Sequence, residues 1–127
     1  MQVTVPAVER VKMFPEDQVS AVKRIYPAIS VAEEGDFSFM LIEQLKLPEG
    51  CEPRIVDGLL CPHQRDGYPS RLFICQKVSH KGKGQNWNPQ QSIVILGRDW
   101  WAVSWKPTRA NQTLLEMIMD HLEAFRG

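Results

Sequence analysis

Asp66-Gly67-Tyr68-Pro69-Ser70-Arg71-Leu72-Phe73 and, further along, Ser104-Trp105-Lys106-Pro107 are the two stretches that decide the fold. Asp66-Gly67 is a turn signal, because Asp bonds its own backbone and Gly accepts positive φ. The apolar run that follows, through Leu72, Phe73, Ile74 and Cys75, predicts a strand over Arg71–Val78. Pro107-Thr108 begins a predicted final helix. Leu114, Leu115, Ile118, Leu122 and Phe125 lie on its buried side, and Glu116, Asp120 and Glu123 face out.

Two more strands are predicted upstream of the Tyr-Pro turn. Arg54–Cys61 is rich in Ile, Val and Leu. Asp36–Leu47 places Phe37, Phe39 and Leu41 on one face and Met40 and Ile42 on the other. A strand apolar on both faces is expected to be central and covered. Glu34-Gly35 and Pro48-Glu49-Gly50 are breaks. Pro15-Glu16-Asp17 opens a first helix, whose two carboxylates suit the positive end of its dipole. Val19, Val22, Ile25 and Tyr26 form its apolar stripe, and Pro27 ends it. Residues 1–13 read as an extension or an edge strand, and 14–127 as one domain.

Downstream, residues 79–91 are a long polar loop, and such loops are usually functional or mobile. Ile93–Leu96 is a short apolar segment, and Gly97–Trp105 an irregular stretch holding three of the four tryptophans. The order is helix, sequential strands, aromatic stretch, helix. Connections too short for parallel crossovers make the fold class α+β with an antiparallel β-meander.

The chain has 127 residues, 43% of them apolar, enough for one domain with a real core. Acidic and basic residues balance at a formal net charge of zero, which argues against a nucleic-acid binder. No apolar run approaches the ~20 residues of a membrane span, so no membrane partner is expected. Met1–Met13 lacks an apolar h-region. The three cysteines have no framework spacing, which points to a reducing, cytoplasmic setting.

The two opening stretches resemble elements of the ubiquitin-conjugating (UBC) fold, where a Tyr-Pro turn leads into the third strand and a Trp-x-Pro element precedes the next helix. The chain more closely resembles the prokaryotic UBC-like group known as family E. The pieces that carry this are Leu47-Pro48-Glu49-Gly50, Gly67-Tyr68-Pro69, Phe73 and Gly97-Arg98-Asp99-Trp100, in order over residues 14–125. The resemblance implies a bacterial ubiquitin-like modification pathway. Its implied partners are a ubiquitin-like protein and an adenylating activating enzyme.

A conjugating enzyme needs an accessible thiolate to accept an acyl group, and an oxyanion donor such as an Asn amide. In the family, His-Pro-Asn precedes that cysteine, which lies shortly before Trp-x-Pro. Here the position falls at Ile95-Leu96-Gly97-Arg98, and neither the cysteine nor His-Pro-Asn is present. The nearest substitutes are His80 as a base and Asn86 or Asn88 as donors.

Each cysteine has a bland reading and a sharp one. Cys75, inside an apolar strand, is a small hydrophobe, or a relocated nucleophile abutting the loop that holds His80. Cys61, beside Pro62 and His63, is a strand end, or an exposed thiol at a loop mouth. Its Cys-x-His spacing lacks the second ligand pair a structural zinc needs, so no metal is assigned. Cys51 reads as an inert turn residue. No nucleotide motif is present, and no cofactor is expected. His121 reads as surface or packing, and Trp100, Trp101 and Trp105 as core. Trp87, between Asn86 and Asn88, is either a contact anchor or a ring folded over the vacant cleft. With Asn88, Lys81 and Lys83 it makes the candidate partner surface.

Three readings follow. One is a noncatalytic or unconventional UBC-like protein that binds the ubiquitin-like protein, its activating enzyme, or both. Another is an active conjugating enzyme working through Cys75 or Cys61. The third is an unrelated small α+β adaptor.

Overall fold

The computed structural model describes residues 14–126. The extension or edge strand expected at 1–13 lies outside them. Two helices and eight short strands follow in the order α1 (Glu16–Ile25), β1 (Ile29–Glu34), β2 (Phe37–Lys46), β3 (Cys51–Glu52), β4 (Ile55–Cys61), β5 (Arg71–Ile74), β6 (Ser79–His80), β7 (Ile93–Ile95), β8 (Arg98–Trp100) and α2 (Leu114–Leu122). A 3₁₀ turn, Glu123–Phe125, closes the chain. The main sheet is a four-stranded antiparallel meander, ordered β1-β2-β4-β5. The fold class is α+β.

The two-faced pattern of β2 explains the layers. Met40 and Ile42 pack with Leu60, Leu72 and Ile74 against Val22 of α1 and Leu114, Ile118 and Leu122 of α2. Phe39 packs with Leu59 and Phe73 on the opposite face, under Ile95 and Trp100 of the β7–β8 hairpin. Helices therefore cover one face of the sheet and a tryptophan hairpin the other, and β2 is interior as expected. Registers jump between Ile42↔Gly58 and Leu45↔Val56, so Glu43 and Gln44 together oppose Asp57. Without this bulge, alternation would turn Leu45 away from the helix-side core that it fills.

Four expectations are corrected. The meander has a further strand, β1, paired along its whole length with β2 from Ile29↔Ile42 to Glu34↔Phe37. The strand expected over Arg71–Val78 ends at Ile74, where Trp101 bridges its backbone with bonds of 2.8 Å in each direction. The aromatic stretch is not wholly irregular, since Arg98–Trp100 pairs with Ile93–Ile95. The last helix begins at Leu114, not at Pro107. Thr113 and Glu116 form a reciprocal capping box there, worth about 1 kcal/mol. Gln18 of α1 also accepts from the Leu114 N–H at 3.0 Å, which ties the helices together.

Candidate functional site

The Tyr-Pro turn and the Trp-Lys-Pro element meet. Arg65 and Tyr68 exchange backbone hydrogen bonds across Asp66 and Gly67, whose φ values of +55° and +85° make a type I′ turn. The turn directs Tyr68 inward, to 7% exposure. The long loop folds back on the stretch after β8: the Asn88 N–H donates to Ala102 and the Ser104 N–H to Asn86. This pairing brings the Asn88 amide to the Tyr68 hydroxyl at 2.7 Å, and Ser104 Oγ to the same hydroxyl at 3.1 Å.

Two cations complete the cluster. The Arg71 guanidinium lies 4.2 Å from the Tyr68 ring centre, and Lys106 Nζ 5.6 Å from it. The Ser104 hydrogen bond is the main cause that pulls the Tyr68 phenol below its ordinary pKa. Burial opposes it, while Asn88, Arg71 and Lys106 add to it. Arg71 itself is 2% exposed and donates to the carbonyls of Asn88 and Val103 and to the Asp66 carboxylate. Burial lowers its pKa, with Tyr68 and Asp66 pulling the other way. The result is a rigid knot with an exposed polar rim of Asn86, Asn88, Ser104 and Lys106.

The expected conjugation position is a tight hairpin instead. Leu96 and Gly97 adopt φ of +54° and +76° between β7 and β8, and the Leu96 N–H donates to Glu34 at 2.8 Å. The Trp100 indole N–H donates to the Ile95 carbonyl at 3.0 Å, closing the strand pair from inside.

Two of the three thiols are buried, and the third is partly so. Cys61 is fully buried, which corrects the reading of an exposed thiol at a loop mouth. Its S–H points to the His63 carbonyl at 3.7 Å, and burial pushes its pKa up. Cys51 is a buried residue of β3 rather than a turn residue. Its S–H points to the Phe125 carbonyl at 3.4 Å, and its pKa is also raised by burial. Cys75 lies just past β5, half-buried between the two cores. His80 does not serve it: its pairing partner is Cys51, and its ring bonds the Glu49 carbonyl at 3.0 Å. With a disulfide reagent on the folded chain, Cys75 is expected to react first. Cys51 and Cys61 are expected to react only as the chain opens.

The loop at 79–91 is anchored along its length by β6, a tight turn at Lys81-Gly82 and the bridge Trp87↔Val103. Trp87 is therefore folded inward. Its ring meets Trp101 edge-on at 6.3 Å and packs on the helix-side core. Trp87→Ala is expected to cost about 2–3 kcal/mol, read as a lower denaturation midpoint, the toll of a partly buried aromatic ring. Trp100 is buried in the core under the hairpin, while Trp101 and Trp105 are partly buried against the helix-side core, the Trp105 indole N–H donating to Asp120 at 3.0 Å. Lys81, Lys83, Asn86 and Asn88 are exposed.

Sequence reading missed Arg71 and the pair of Ser70 and His121, both 3% exposed and bonded at 2.9 Å. An arginine heading an apolar strand, five residues after a turn aspartate, was the available signal. Among the described residues no three His, Cys, Asp or Glu side chains converge as a metal site, and no helix is long and apolar enough to cross a membrane. The chain matches no protein-family model, no curated protein and no solved structure.

Proposed function

We propose that this chain is a noncatalytic, UBC-like component of a bacterial ubiquitin-like modification pathway, acting in the cytoplasm. It binds the ubiquitin-like protein, its adenylating activating enzyme, or both, without accepting an acyl group. The observation that carries the reading is the Leu96-Gly97 hairpin, which stands where the UBC resemblance expects the thiol. A meander between two helices, with the Tyr-Pro and Trp-Lys-Pro elements joined through Tyr68, Asn88 and Ser104, supports the UBC likeness. Burial of Cys51 and Cys61 supports the noncatalytic part. Size-exclusion chromatography with the ubiquitin-like protein and activating enzyme of the same operon tests it. Co-elution is expected, and consistent separate elution from both sinks the reading. Cys75, the least buried thiol, carries the second reading, an active conjugating enzyme.

A further inference from the structure

A cavity of about 410 Å³ opens between the β6 turn and the chain's last 3₁₀ turn, lined by His80, Lys81, Lys83, Gly84, Gln85 and Arg126. We infer that this cavity is a docking site for an acidic peptide segment of a protein partner. Among the described residues, its lining holds cations from two distant parts of the chain and no carboxylate. The neighbouring cavity that shares Arg126 sets Lys46, Arg54 and Arg126 against Glu49 and Glu123, so most of its charge is offset locally. In a chain of zero net charge, a one-sign cavity is a local feature that attracts and orients an anionic partner.

The lysines stand on a rigid support. Lys81 and Gly82, at φ +49° and +81°, form a tight turn closed by reciprocal His80–Lys83 backbone bonds of 2.8 and 2.9 Å. The Lys81 N–H donates to the Gly50 carbonyl at 2.8 Å, and the His80 ring bonds Glu49. A Cβ at Gly50 would sit 2.6 Å from the His80 ring, so glycine is needed for this close approach. Little backbone freedom is then left to lose on binding. Arg126 pairs with Glu123 at 2.7 Å, but both side chains are more than half exposed. Such a pair contributes only about 0–1 kcal/mol, so exchanging Glu123 for a partner carboxylate costs little.

The volume falls within the ~300–1,000 Å³ of ligand clefts. Nucleic acid wants an extended basic face, and anionic membranes want clusters of about four to eight cations. A short acidic peptide fits the few point charges here. Only the choice of a protein as partner rests on the proposed function.

The test is fluorescence anisotropy of a labelled hexaglutamate peptide with the full chain. Saturable binding that weakens with added salt is expected, with no binding of hexaglutamine. Lys81→Glu/Lys83→Glu should weaken it by about tenfold, while Lys23→Glu/Arg24→Glu on exposed α1 should stay within roughly twofold. The two double variants change net charge equally, and circular dichroism verifies that both fold. No saturable binding, equal binding of hexaglutamine, or equal loss in both variants would overturn the inference. The assay contains no pathway protein. Hexaglutamate binding without co-elution therefore removes the proposed function alone, and co-elution without hexaglutamate binding removes the docking site alone.

Discussion

Arg71→Met is expected to lower unfolding free energy by about 3–5 kcal/mol, the cost of breaking a buried charge network from one side. The guanidinium serves three elements: the Asp66 turn, the loop at Asn88 and the stretch at Val103. Methionine fills much of the volume but leaves two carbonyls without their donor, at about 1–3 kcal/mol for each group that water cannot reach. Asp66→Asn should cost far less, at most about 1 kcal/mol, because the Asp66 side chain is half exposed. Arg71→Lys should recover only part of the loss, since an ammonium cannot reproduce the fork. Urea denaturation of the three variants checks this ordering. Equal effects of Arg71→Met and Asp66→Asn would mean that the ion pair, not the carbonyl contacts, matters.

Acid should destabilise the fold through His121 before ordinary carboxylate titration begins. Burial is the main cause holding this imidazole at a pKa of about 4, with Asp120 raising it and Arg71 lowering it. The unfolded chain has an ordinary histidine near 6.5. Between these values the unfolded state binds a proton that the folded state refuses, so stability falls as pH falls from about 6.5 to about 4. At ~1.4 kcal/mol per unit the full loss is about 3 kcal/mol. Above that window the group contributes no pH dependence. His121→Gln removes the titrating ring and should flatten this part of the stability curve, whatever its own cost at neutral pH. An unchanged slope in the variant would assign the acid sensitivity elsewhere.

The sheet was legible where sequence pattern is local. The alternation of Phe37 to Ile42 placed β2 between two cores, and both cores exist. β1 was not legible, because Ile29–Glu34 is a short edge strand with no fully buried residue, made a strand by pairing with β2. The start of α2 was misplaced at Pro107, because the signal that sets it is Thr113 with Glu116, whose reciprocal bonds satisfy first-turn N–H groups. The motif pieces of the candidate site were legible, yet their meeting was not: Tyr68 reaches Asn88 across 20 positions and Ser104 across 36. The Cys75–His80 pairing failed for the same reason, since register, not proximity in sequence, places His80 opposite Cys51.

The proposed role, binding without acyl transfer, can be checked by incubating the chain with the activating enzyme, the ubiquitin-like protein and ATP, then resolving products with and without reductant. No reductant-sensitive adduct is expected on this chain, under conditions where the activating enzyme itself becomes charged. A reductant-sensitive adduct that disappears in Cys75→Ser would contradict it and make Cys75 the nucleophile.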